Sequence, residues 1–390
     1  MKICAIIAEY NPLHLGHIKH INYVKNVLGA ENVIVIMSGN FTQRGEPAIL
    51  NKFKRARQAV LAGADAVIEL PAVFAVAGAE VFAKGAVKIL DSMHVADGLC
   101  FGAESGTRED FINLASALND ETKEFKKTLK DYLGQGFSLA KSRFLAVKDL
   151  KKEDFDEDLI LKPNNILGLE YAKAVLSFKS DMEIYPMKRE DTHGDAKLKK
   201  GITSALSIRQ AVKEGRLKKV KKNLPDYSYA DLKEFPKDFD KITVSALYRA
   251  SLKELSELPD CTEGLEHRIK ALLKDNNSVE TLVRKISTKR YTEARIRRIF
   301  IANLLGIKKD FQNECLKEPL YIKVLAVNAL NKNIISIIGE NSSVPVITRK
   351  SQAAELKKTA KACYGIDALA CDIYDLATGE TENHNQMIIV

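Results

Sequence analysis

His14 and His17 stand three positions apart around Gly16, in the stretch Glu9-Tyr10-Asn11-Pro12-Leu13-His14-Leu15-Gly16-His17. Two imidazoles fixed at the mouth of a helix can donate to a phosphate group as it gains charge during nucleotidyl transfer. One such fixed donor is worth roughly 2.7 to 4 kcal/mol. Backbone N–H groups of the same turn bind phosphate oxygens as well, and Gly16 lets a nucleotide come close because no side chain stands in the way. A later segment, Thr203-Ser204-Ala205-Leu206-Ser207-Ile208-Arg209, offers a similar arrangement at another helix start, where Ser207 and Arg209 can hold the outer phosphates. Taken singly, each segment is more readily a plain helix start, the second with Ser204 as N-cap. Taken together they point to nucleotide phosphates. No GxGxxG follows the first apolar run, and Gly102-Ala103-Glu104-Ser105-Gly106 does not supply it, which lowers a dinucleotide-binding reading.

Such residues need a rigid frame. Nearly continuous apolar runs at Ile3 to Ala8, Val33 to Met37, Ala66 to Leu70 and Gly98 to Phe101 read as parallel strands buried on both faces. Helical spacing separates them: Ile18, Ile21, Val24 and Leu28 in the first helix, then about Lys52 to Leu61 and Ala77 to Leu90. Right-handed crossovers bring the strand C-termini to one edge, where open α/β sheets bind ligands. Helical patterns from Arg108 to Val147, an acidic loop at Glu153 to Asp158, a helix near Asn165 to Phe178, a strand at Met182 to Met187 and a helix from Ser204 to Gly215 complete this part. The expected fold is α/β. A Rossmann-like parallel-sheet domain occupies residues 1–215, and a basic, mainly helical region with a small C-terminal α/β piece occupies residues 216–390. That piece consists of strands near Ile322 to Val327 and Val344 to Ile347 and a helix near Ser351 to Tyr364.

Hydrophobic residues form 46% and charged residues 28% of the 390, an ordinary globular balance. No apolar run is long enough for a membrane span, and Glu9 with Asn11-Pro12 breaks the N-terminal run too early for a signal peptide. Six cysteines without a CxxC pair suggest neither zinc nor disulfides, so reduced thiols in the cytoplasm are expected. The net charge of +9 is unevenly spread, because residues 216–298 hold 20 basic against 13 acidic side chains. Within them, Arg284 to Arg298 carries seven basic residues and one acid. Ile296 and Ile299 are expected to face the core there. Lys289, Arg290, Arg295 and Arg298 would offer phosphate contacts and Tyr291 a stacking surface for an unpaired RNA base. Such binding would weaken steeply with salt. A basic helix with no ligand is the plainer alternative.

An HxGH element directly after an apolar strand, following Asn-Pro, is the signature of the nucleotidyltransferase superfamily of Rossmann-like folds. Further segments narrow the resemblance: Ala8-Glu9-Tyr10-Asn11-Pro12, the run from Met37 to Ala48, Val67-Ile68-Glu69-Leu70-Pro71, and Lys162-Pro163-Asn164-Asn165-Ile166-Leu167-Gly168. The chain resembles the bacterial tRNA(Met) cytidine acetate ligase family almost end to end, although its last eighty residues match in general character only. The resemblance implies an ATP-dependent ligase that forms acetyladenylate from acetate and acetylates N4 of the wobble cytidine of elongator tRNA(Met). His14 and His17 would be catalytic. ATP would meet Ile7, Ala8, Glu9, Tyr10, Asn11, Pro12, Leu13, His14, Leu15, Gly16, His17, Ile18, Lys19 and His20, with further contacts at Gly102, Asn164 and Arg189. Mg²⁺ is expected with the nucleotide. Gln43 and Arg44, in the loop after the second strand, are expected near the reaction centre, over acetate. Two other readings stay open: a small-molecule adenylyltransferase acting on a mononucleotide or phosphopantetheine, and a non-catalytic RNA-binding protein with a vestigial nucleotide fold.

Overall fold

Strand β1 (Ile3–Ala8) sends Ile3, Ala5 and Ile7 to one face and Cys4 and Ile6 to the other, and all five are buried. Burial on both faces is what a near-continuous apolar run requires. The computed structural model describes residues 1–120, 122–137, 139–151, 155–189, 198, 201–232, 239–274, 276, 278–288, 290–381 and 386–390. In it β1 pairs in parallel with β2 (Asn32–Ser38) on one side and β4 (Gly98–Ala103) on the other. Outside these lie β3 (Ala66–Leu70) on β2 and β5 (Glu183–Lys188) on β4, again parallel. Helices α1 (Leu15–Asn26) and α2 (Lys52–Leu61) cover the Cys4 face. The Ile3 face is covered by α3 (Ala79–Asp91), α4 (Arg108–Asn119) and α5 (Pro163–Phe178). This is the expected parallel α/β arrangement, with strand C-termini on one edge.

The C-terminal α/β piece is present, and its strands extend the same sheet. β6 (Ile322–Val327) runs antiparallel to β3, and β7 (Val346–Ile347) and β8 (Ile388–Ile389) pair with it in parallel. The order is β5-β4-β1-β2-β3-β6-β7, with β8 on β6. β8 was not foreseen, since two residues carry no periodicity. Between the halves lie α6 (Ala205–Lys213), α7 (Phe239–Arg249), α8 (Leu265–Leu273), α9 (Val279–Ile286) and α10 (Glu293–Leu305), and α11 (Lys358–Thr378) follows β7. Val244, Leu247, Ile269, Leu282, Ile299 and Phe300 from these helices join the apolar cluster on the Ile3 face without a break. Among the described residues no helix is long and apolar enough to cross a membrane.

A buried charge cluster fastens β6 in place. Glu69 and Lys323 are cross-strand partners, and Lys323 Nζ lies 2.8 Å from Glu69 Oε2. Lys52 Nζ, at the start of α2, donates to Glu69 Oε1 at 2.8 Å and Oε2 at 3.0 Å. Burial pushes the Glu69 carboxyl up, but Lys323 and Lys52 outweigh it and hold the group at about 2. Breaking such a group on one side leaves charge buried without compensation. Glu69→Gln is therefore expected to lower unfolding stability in urea by about 3–5 kcal/mol. A loss below about 1 kcal/mol would show that the two ammonium groups find other partners.

Candidate active site

The chain leaves β1 through Tyr10, whose φ of 48° lies in the left-handed region that non-glycine residues seldom occupy. Its ring is buried, meets His17 edge-on at 4.9 Å, and carries a hydroxyl with no hydrogen-bond partner among the described residues. Asn11 and Pro12 follow, joined by a cis peptide bond. His14 then caps α1, a position where Ser, Thr, Asp or Asn is usual. Its Nδ1 accepts from Gly16 N–H at 3.1 Å, while His14 N–H donates to His17 Nδ1 at 3.2 Å. The two imidazoles form a capping box and stack with centroids 3.7 Å apart.

This arrangement fixes the tautomers. A backbone N–H only donates, so each Nδ1 is an acceptor and the ring proton of a neutral imidazole sits on Nε2. Burial, then the charges of His14, Arg189 and His20, hold His17 well below its ordinary 6.5, so the ring is neutral near pH 7. His20, with Nε2 3.2 Å from Cys100 Sγ, is lowered to about 4 by burial and by Arg189. A Cβ on Gly16 would lie 2.9 Å from His14 Cε1, so this glycine makes room for the His14 ring as well as for a ligand.

His14, Gly16, His17, Lys19, His20, Gly102 and Arg189 line one depression of about 40 Å³ at the C-terminal edge of the sheet, with Met187, Lys188 and Ile202. Residues distant in sequence meet there because β4 and β5 pair Gly102 with Met187, and Arg189 N–H continues the ladder to Ala103 O at 2.8 Å. The Arg189 side chain lies across Gly102, where a Cβ would be 3.1 Å from its Cγ.

The other sequence-derived residues fall around this centre. Ile7, Tyr10, Asn11 and Leu13 are buried and, unlike the equally buried His14, do not line the depression, so mainly their backbone is on offer. Ala8, Leu15 and Ile18 are half-buried. Glu9 accepts Gln43 N–H at 2.7 Å and thereby ties the nucleotide turn to the loop after β2. Asn164 donates Nδ2–H to Glu104 Oε1 at 2.7 Å, just beyond β4 and outside the depression. Asn165 is wholly buried and braces Glu104 N, Ser105 and Asp158 O. Ser207 is buried against its N-cap, with Oγ 2.8 Å from Ser204 Oγ. Arg209 is buried and donates to Asn11 O at 2.8 Å, which ties α6 to the nucleotide turn.

Arg44 and Arg209 line a second cavity, larger than the depression beside the histidines and separate from it. This cleft of about 970 Å³ opens between the Arg44–Pro47 segment, α6, α7, α9 and α10, with Lys213, Glu280, Arg297 and Phe300 among its walls. The basic stretch presents less free charge than its composition suggested. Ile296 and Ile299 are buried as expected. Arg290 is 71% exposed and pairs with Glu263, which also accepts from Tyr291. Arg295 stacks over the Tyr291 ring at 5.0 Å and donates to Asp260 O, and Arg298 reaches Asp260 and the Gln43 carbonyl. Lys289 lies outside the described residues.

Arg55 was missed. It has no exposed surface, and its guanidinium donates to the carbonyls of Leu50 at 2.9 Å, Glu9 at 2.6 Å, Ser38 at 3.1 Å and Gly39. One signal was available, since Lys52 and Arg55 share the helical face that carries Ala56, Ala59 and Val60, so both charges had to be buried.

Comparison with known proteins agrees with this geometry. The family described as HIGH Nucleotidyl Transferase matches residues 1–387. The chain is 37% identical over 387 residues to a tRNA(Met) cytidine acetate ligase of Caldanaerobacter subterraneus subsp. tengcongensis, covering 97% of this chain and 96% of that one. It is 39% identical over 386 residues to one from Thermoanaerobacter sp. (strain X514), with the same coverage of 97% and 96%. Two crystal structures of Thermotoga maritima TmcAL, each 28% identical and covering 100% of both chains, superpose with TM-scores of 0.93 for the apo form and 0.92 for the form bound with alpha-thio ATP.

The lowered pKa of His20 gives a defined acid response. Because His20 is lowered from 6.5 to about 4, the unfolded chain takes up a proton over that interval that the folded chain refuses. Its contribution to stability is complete above pH 6.5 and is lost as the pH falls to about 4. His20→Gln is expected to lose less melting temperature than the parent across this interval. Parallel melting curves across it would contradict the assignment.

Proposed function

Because the chain belongs to the tRNA(Met) cytidine acetate ligase family, within the HIGH nucleotidyl transferases, we propose that it activates acetate with ATP and acetylates the wobble cytidine of elongator tRNA(Met). The observation that carries this reading is the interlocked pair of imidazoles at the mouth of α1, bordered by Gly16, Gly102 and Arg189. An acetate oxygen attacks the α-phosphorus of ATP, pyrophosphate leaves, and acetyladenylate forms. N4 of the cytidine then attacks the acetyl carbonyl, and AMP leaves with the bridging oxygen. His14 and His17 donate Nε2–H to the α-phosphate oxygens as charge accumulates, without reorganising.

A depression of about 40 Å³ takes a phosphate group but not a nucleoside, so the adenosine extends beyond it. The group that makes room is the Arg189 side chain, which leaves Gly102 and neutralises phosphate or stacks on adenine. The backbone from Ile7 to His20 follows the nucleotide, Asn164 lies towards its base or ribose, and Ser207 and Arg209 support the outer phosphates from α6. Gln43 and Arg44 border acetate. Among the described residues no group of three or more His, Cys, Asp and Glu side chains could hold a metal, and an Mg²⁺ arriving with ATP would be held mainly through the phosphates it neutralises. Residues 1–215 serve as the catalytic part and residues 216–390 as the part that presents RNA, with Arg290 exposed and Tyr291 and Arg295 half-buried beside it.

Incubation with ATP, radiolabelled acetate and total tRNA tests the reading: label is expected on cytidine of one tRNA species. Label on no RNA, with a mononucleotide adenylylated instead, would overturn it. His17→Ala is expected to lower kcat for acetate-dependent ATP–pyrophosphate exchange by about 100-fold or more while tRNA binding is kept. Arg44→Ala is expected to impair the same exchange, and an unchanged rate would remove Arg44 from the site.

A further inference from the structure

Helix α10 carries two arginines that charge density alone would place on an RNA surface, yet both turn inward. The Arg298 side chain is 16% exposed, and its Nη1 donates to the Gln43 carbonyl at 3.3 Å while Nη2 reaches Asp260 Oδ2 at 3.4 Å. Arg297 lies 3.6 Å from Glu46 Oε1 on one side and 2.8 Å from Glu280 on the other. Between them the loop touches the helix itself. Gly45, at a φ of +70°, is so close that a Cβ would be 2.3 Å from Arg298 N.

The far side of the same loop is gripped by the nucleotide turn. Gln43 N–H donates to Glu9 at 2.7 Å, and the Glu9 carbonyl is held in turn by Arg55. Gln43 is thus held twice, by its N–H from the turn that leads to His14 and by its C=O from α10. With its side chain only 16% exposed and turned to the loop and Asp260, Arg298 presents little of its guanidinium to an RNA phosphate outside.

We propose that Arg298 is a positioning residue for acetate activation, holding the Gly39–Pro47 loop against the nucleotide turn through the Gln43 carbonyl, and is not an RNA contact. The proposal rests on the reading that this loop borders the reaction centre. A displacement of about 1 Å in such a loop costs on the order of 100-fold in rate.

The test is acetate-dependent ATP–pyrophosphate exchange measured without tRNA, beside tRNA affinity as a function of salt. Arg298→Ala is expected to lower kcat by about 10- to 100-fold with little change in KM for ATP, and to leave the tRNA salt slope unaltered. Arg298→Lys, which can still donate to the Gln43 carbonyl, is expected to recover part of the exchange. Gly45→Ala removes no charge and is expected to lower exchange as well. Parental exchange in Arg298→Ala, or weaker tRNA binding with a salt slope reduced by about one, would overturn the proposal. If Arg298→Ala does not fold, the lysine variant decides: parental exchange with weakened tRNA binding would overturn it. Absence of acetate-dependent exchange in the parent protein would instead overturn the proposed function.

Discussion

The guanidinium of Arg55 holds together the ends of the two central strands. Carbonyls at the C-terminal ends of parallel strands face outwards from the ladder and need donors of their own. Arg55, rising from α2 beneath the loops, supplies them to Glu9, Ser38 and Gly39 at once, and to Leu50 at the start of its own helix. Hydrogen bonds from a charged donor contribute about 1.5–3 kcal/mol each, which offsets the cost of burying the charge. The consequence is geometric. The turn that leads to the histidines and the loop that leads to Arg44 leave the sheet from one fixed point.

Each loop is then held a second time, from a different part of the chain. Arg209 on α6 donates to Asn11 O, Glu9 accepts from Gln43, and Asn11 Oδ1 accepts Ile49 N–H at 2.8 Å. The C-terminal helices brace the outer side, with Tyr374 OH on Ala48 O at 2.9 Å and Phe239 edge-on to Phe41 at 5.9 Å. Since β6 also fills the edge beside β3, the last third of the chain supports the nucleotide turn as well as flanking it. A helical region joined this closely to the loops around the histidines is held in a fixed relation to them.

Much of this was legible in the chain, and the limits are physical. Ile3–Ala8, Ala66–Leu70, Ile322–Val327 and Lys52–Leu61 stand where apolar runs and helical spacing put them, because burial on both faces of a sheet selects apolar side chains at nearly every position. HxGH was legible because it follows a strand directly. The antiparallel pairing of β6 with β3 was not, since a run such as Ile322 to Val327 records burial but not its partner. Its clue lay in Lys323 and Glu69, two charges inside apolar strands that need each other and Lys52. The direction of Arg298 was equally hidden. Spacing puts Arg295 and Arg298 on one helix face, but only the fold brings Asp260 and Gln43 up to that face.

The proposed chemistry turns on one atom, the α-phosphorus of ATP, which would lie against the His14 and His17 imidazoles at the mouth of α1. The most direct measurement uses acetate carrying a heavy oxygen isotope, with ATP and tRNA, followed by mass analysis of the released nucleotide and phosphates. Attack at the α-phosphorus predicts one heavy oxygen in AMP and none in pyrophosphate. Heavy oxygen in inorganic phosphate, with ADP as the nucleotide product, would mean that acetate attacks the terminal phosphate and would contradict the assignment of His14 and His17.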